Sequence, residues 1–172
     1  MFFREINDDL FLALVQPSFA KDYLRIIKPN QTDFSRFLPW AASELNEDFF
    51  LKYVNKSLHS YADGVALPCS IIYHDKLVGN IDFHQIDYSV KKANIGYWLD
   101  PKYRGRGIVA NSVQAFVNIG FNEMDLTKIE IWTSIENKDS CAVAERAGFT
   151  QESIRTKNAS ELCDKVGYGL SK

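Results

Sequence analysis

Two arginines and two glycines alternate at Arg104, Gly105, Arg106 and Gly107, just before a segment whose apolar residues recur at helical spacing. A helix N-terminus leaves its first N–H groups unpaired and carries a partial positive charge, so a turn that feeds one forms an anion site. The glycines free the backbone and keep side chains out of the way, while the arginines add charge. A pyrophosphate would fit there. Taken alone, these residues fit an exposed glycine turn equally well. Gly105, Gly107 and Ala110 also satisfy the GxGxxA spacing of dinucleotide folds, but that fingerprint needs a strand running straight into its first glycine. Here DPKYR intervenes. The next strand, KIEIWT, carries Glu130 in its middle and no acidic residue at its end to hold a ribose, so NAD is disfavoured.

A second constellation follows in NKDSCAVAERAGF. Asn137 is placed to cap a helix, and Ser140 sits in that helix's first turn. The serine hydroxyl has two uses: facing a cleft, or bonding its own backbone. Cys141, beside it, lacks a paired histidine nearby and reads as a helix-packing thiol rather than a nucleophile. Gly148 ends the helix and Phe149 belongs to the core.

The elements that must position these residues can be read from periodicity. Residues 10–15 form a first strand, and Pro17 and Ser18 begin a helix through residue 27. KPNQTD breaks the pattern, and residues 33–61 form two helical stretches parted by Pro39. In the second, residues 43–61, Leu45, Phe49, Tyr53 and Leu58 share a face. Residues 65–73 and 76–84 form a hairpin joined by HDK, and residues 92–99 a third strand of that group. In it Ala93, Ile95, Tyr97 and Leu99 alternate with Asn94, Gly96 and Trp98; the glycine weakens the strand unless something approaches it closely. Val109, Val113, Phe116, Val117, Gly120 and Met124 mark a helix, residues 128–133 a buried strand, and residues 150–157 and 165–170 two closing strands. The order predicts a mixed α/β fold with helices on the sheet's faces, antiparallel hairpins first and a βαβ crossover later.

The chain has 172 residues, 46% of them hydrophobic, enough for one domain over residues 1–172 with its own core. Its 20 basic and 22 acidic residues give a net charge of −2, so no global field draws nucleic acid or an anionic membrane, and neither is expected as a partner. Cys69, Cys141 and Cys163 are odd in number and never form CxxC, which argues for reduced thiols in a cytoplasmic protein and against a disulfide framework or a metal site. The apolar run LFLALV is too short for a signal or membrane-spanning segment.

GYWLDPKYRGRGIVANSV followed by NKDSCAVAERAGF resembles the GCN5-related N-acetyltransferase (GNAT) superfamily, and within it the RimJ/RimL group that acetylates protein N-termini. The two motifs lie about 30 residues apart around a βαβ unit, a specific combination. The resemblance implies a GNAT fold, a mixed, mostly antiparallel sheet of about seven strands. It implies acetyl-CoA as cosubstrate, with Arg104, Gly105, Arg106, Gly107, Ile108 and Val109 around its pyrophosphate. It also implies that the strands on either side of the crossover helix splay apart, so that pantetheine pairs with exposed backbone at Tyr97, Trp98 and Leu99. Asn137 and Ser140 gain cofactor contacts, and Ser140 becomes the proton donor to the departing thiolate. Many relatives use a tyrosine for that task where this chain has Ala144. Val109 departs from the strict motif.

The same resemblance places a glutamate in many relatives where this chain has Asn94, which cannot usefully accept a proton. Asp82, His84, Glu44 and Glu47 could act through water, with none singled out, and His74 and His84 are more often ordinary surface or strand residues. An α-amine with pKa about 8 is about one-tenth neutral at pH 7, whereas a lysine amine near 10.4 is neutral at about four parts in ten thousand. A weak base therefore favours a protein N-terminus as acceptor. Trp40 and Asn94 are assigned to the acceptor side, with residues 33–61 as its wall. A small-molecule acetyltransferase and a non-catalytic CoA-binding module are the alternatives, and a homodimer is left open.

Overall fold

The computed structural model describes residues 3–157 and 163–172. Among these, eight strands form one sheet in the order β1-β2-β3-β4-β5-β6-β8-β7. Strands β1 (Phe3–Asn7), β2 (Leu10–Leu14), β3 (Leu67–Tyr73), β4 (Lys76–Asp87) and β5 (Lys92–Leu99) are successive antiparallel neighbours. After the crossover helix α4 (Ile108–Asn122), β6 (Lys128–Ser134) lies parallel to β5. β8 (Lys165–Ser171) pairs antiparallel with β6, and β7 (Thr150–Arg155) takes the far edge. The mixed sheet and its single parallel pair agree with the sequence reading. The additional strand is β1, whose exposed edge segment FREIN carries no alternating pattern to betray it.

The strands' two-residue period divides the interior into two cores. Along β3, Ile71 joins the core beneath α4 and α5 (Lys138–Arg146), while Ile72 joins the one beneath α1 (Ala20–Ile27), α2 (Gln31–Ser35) and α3 (Glu47–Ala62). The first is anchored by Phe83 against Phe116 of α4, ring centroids 4.8 Å apart. The second gathers Tyr23, Ile26, Phe34, Phe50 and Val54.

Two local expectations shift. KPNQTD does not interrupt the helical path for long: a 3-10 turn at Lys28–Asn30, with proline tolerated in its first turn, runs into α2. The helix expected from residue 43 begins at Glu47, where Asn46 Oδ1 accepts from the Phe49 amide at 2.8 Å. Leu45 is buried but precedes the helix; with Phe50 it occupies the two positions of a hydrophobic staple. Among the described residues no helix is long and apolar enough to cross a membrane.

Candidate active site

Strands β5 and β6 stay in register from Lys92↔Lys128 to Ile95↔Ile131, where their pairing stops. Beyond that point β5 continues against β4 as far as Leu99, and β6 continues against β8 as far as Ser134. Each strand keeps its outer neighbour while the inner edges part. The main chain of Gly96, Tyr97, Trp98 and Leu99 therefore offers N–H and C=O groups with no partner in β6, a ladder open to an extended ligand.

At the open end of this cleft, Asp100 caps a 3-10 turn by accepting from the Lys102 amide at 3.0 Å. Gly105 and Gly107 then adopt φ of 76° and 75°. A Cβ on Gly105 would meet nothing within 4 Å, so the left-handed backbone, and not crowding, selects glycine. Gly107 is the N-cap of α4 and supplies no side-chain cap, leaving the first amides, from Ile108 and Val109 onward, free of a capping acceptor. The arginines are braced locally. Arg104 Nη2 lies 2.5 Å from Asp33 Oδ2, tying the turn to α2. Arg106 donates to the Lys102 carbonyl at 3.4 Å and covers the Tyr103 ring at 5.3 Å. Beside them a cavity of about 340 Å³ runs between Arg106, Ile108 and Asn111 on one wall and Asp8 and Asp9 on the other.

The second motif meets the first across the cleft. Asn137 caps α5, its Oδ1 accepting from the Ser140 amide at 3.2 Å. The Ser140 hydroxyl reaches β5: Oγ is 2.8 Å from the Tyr97 hydroxyl, which donates to the Ser140 carbonyl at 3.2 Å. Burial pushes the Tyr97 phenol up to about 12 despite the opposing effect of the Ser140 hydrogen bond, so it is protonated at neutral pH. This hydroxyl pair spans 43 positions of sequence, and no local pattern announces it.

Other predicted residues divide by face. Leu99 is buried in the core under α4. The Trp98 indole points the opposite way, edge-on to Tyr23 and Phe34 at 5.6 and 5.7 Å. Trp40 stacks on Phe49 and meets Phe50 edge-on, a packing role in the second core. Asn94 donates to Gln85 Oε1 at 2.6 Å, and its buried Oδ1 has no hydrogen-bond partner among the described residues. It lines a cavity of about 290 Å³ with Gln85, Glu130, Trp132 and Arg155. Burial opposes ionisation of Glu130, but hydrogen bonds from Lys92 and Trp132 outweigh it and hold the carboxyl below its usual range.

The close approach that Gly96 called for comes from β4. A Cβ there would sit 3.2 Å from His84 Cε1 and 3.4 Å from Asp82 Oδ2. Asp82 and His84 are themselves joined, Oδ1 to Nδ1, at 2.7 Å. Their two-residue spacing in IDFH is the signal that puts both on one face of a strand.

This chain is similar to known proteins along most of its length. It is 30% identical over 148 residues to the ribosomal-protein-serine acetyltransferase of Escherichia coli (strain K12), covering 86% of this chain and 83% of that one. Its structure is similar to that of the microcin C7 self immunity acetyltransferase MccE in complex with acetyl-CoA and AMP, with TM-score 0.91, 27% identity and coverage of 97% and 94%. The fold is likewise shared with RimL, ribosomal L7/L12 alpha-N-protein acetyltransferase, in complex with coenzyme A, at TM-score 0.93, 24% identity and coverage of 99% and 98%. The model of the acetyltransferase (GNAT) domain family matches residues 9–150, from the turn before β2 to the first residue of β7. With that match running through both motifs and the parted strands between them, the chain belongs to the GNAT family and is an N-acetyltransferase.

Proposed function

We propose that this enzyme transfers an acetyl group from acetyl-CoA to a protein N-terminal α-amine. The observation that carries the reading is the parting of β5 from β6 directly beside the uncapped start of α4. An extended pantetheine arm finds main-chain partners along Gly96 to Leu99, and a diphosphate finds amides at Gly105 to Val109 with Arg104 and Arg106 at its flanks. Tyr97, Trp98 and Leu99 contribute the strand wall, and Asn137 and Ser140 the helix wall.

In this reading the amine attacks the thioester carbonyl directly, and positioning plus backbone donors supply much of the acceleration. The Ser140 hydroxyl, held by Tyr97, gives its proton to the departing thiolate. The wall made by residues 33–61 and Asn94 faces the acceptor. Support for a protein acceptor comes from the E. coli relative, which is named for a ribosomal-protein serine. The MccE likeness supports a second reading, a small amine or nucleotide-linked acceptor.

Thiol release from acetyl-CoA, followed with a panel of N-terminal peptides and with polyamines, amino acids and aminoacyl nucleotides, separates the two. Acetylation of peptide α-amines, located by mass spectrometry, is the expected result. Turnover confined to small amines would reject the protein acceptor.

A further inference from the structure

We propose that His84, oriented by Asp82, takes the proton from the attacking amine. The inference rests on the acetyl-transfer reading above and assigns the proton acceptor that it leaves open.

Position comes first. In the β4–β5 register Asp82 stands opposite Gly96 and His84 opposite Asn94. Gly96 is the first residue past the last β5–β6 pair, so the two side chains lie over the closed end of the cleft. Successive residues of β5 point to opposite faces: Tyr97 meets Ser140 on the α5 side, whereas Gly96 meets His84 on the other. Proton donor and proton acceptor thus stand on opposite sides of one strand, at adjacent residues. An amine entering from the β4 face would reach the imidazole and the thioester carbonyl together.

The chemistry agrees with the position. A carboxylate accepts only, so Asp82 fixes the proton of a neutral imidazole on Nδ1 and leaves the Nε2 lone pair open. The imidazole is reachable, its side chain 47% exposed, while the carboxylate at 25% is sheltered. Gly96 permits the arrangement, because a side chain there would press on the ring.

The other groups facing this pair do not compete for the proton. From α3 comes the Tyr53 phenol, raised above its ordinary range by burial first and by the Asp82 charge second, and so neutral. From β5 come Asn94, an amide, and Lys92, which is paired with Glu130. Glu130 of β6, held ionised by Lys92 and Trp132, is a poor base.

In the step itself the amine nitrogen bonds to the thioester carbon and the C–S bond breaks. One amine proton passes to His84 Nε2 and on to water. The thiolate takes the Ser140 hydroxyl proton, which water replaces, and the products are an amide and the CoA thiol.

The test measures kcat and kcat/KM against pH for wild type, His84→Gln and Asp82→Asn. Acceptors are a peptide with N-terminal serine and, separately, spermidine; acetyl-CoA binding is measured by calorimetry. For His84→Gln we expect kcat to fall about a hundredfold on whichever amine wild type accepts, with acetyl-CoA Kd within twofold. Its rate then rises only as the amine itself deprotonates, so the acid limb moves to higher pH and part of the rate returns there. Asp82→Asn keeps the limb and loses about tenfold in kcat, the signature of a positioning residue. A His84→Gln enzyme within threefold of wild type, with its acid limb intact, overturns the proposal. Turnover of spermidine but not peptide would instead reject the protein acceptor and leave the His84 comparison to be read on spermidine. No thiol release with either amine overturns both.

Discussion

Two helices start at this cleft, and they start differently. α4 follows a left-handed glycine that provides no side-chain cap, whereas α5 follows Asn137, whose oxygen binds the amide of Ser140. The first leaves its donors available and is suited to receive an external anion. The second spends one donor internally and thereby fixes a first turn whose serine must face Tyr97. Equivalent places in two helices are thus suited to binding in one case and to fixing geometry in the other, and the residue at the N-cap makes the difference.

The largest effect should come from breaking the first start. Gly107→Val forces a β-branched residue to φ near 75°, at a cost of about 1–3 kcal/mol of local strain, and reorients the free amides. Calorimetry should show acetyl-CoA affinity reduced at least a hundredfold; affinity within fivefold of wild type would dissolve the contrast. Next comes Ser140→Ala, for which the proposed proton-donor role predicts that kcat drops roughly a hundredfold while acetyl-CoA binding changes little. Unchanged turnover across pH would end that assignment. Tyr97→Phe sharpens the point: deleting the partner hydroxyl should cost about tenfold in kcat and about 1 kcal/mol in urea denaturation. Asn137→Ala is the mildest, about 1 kcal/mol of stability from a lost cap with a few-fold loss in kcat. If it instead abolished cofactor binding, the α5 start would be a binding element like that of α4.

Much of this was legible in the chain. The Arg104 to Val109 turn announces itself because glycine spacing, charge and the onset of helical periodicity are all local properties. The cap at Asn137 follows from the residue types at a helix start. Strand β1 was not legible, since an exposed edge strand need not alternate. The start of α3 was misjudged because Leu45 is buried by a staple and not by helical periodicity. The orientation of Trp98 was legible in its alternation with Tyr97 and Leu99; the aromatic cluster that holds it was not, because Tyr23 and Phe34 come from other helices.

By itself, then, the sequence determined the order of elements, the two motifs and the family resemblance they carry, all of which depend on neighbours a few residues apart. Only the tertiary structure decided which side chains meet. Tyr97 reaches Ser140 because α5 packs on one face of β5, and His84 covers Gly96 because β4 pairs with it in one particular register. Such contacts are set by packing and strand pairing between distant segments, and a one-residue slip of β4 would turn His84 to the other face without changing a letter of the chain.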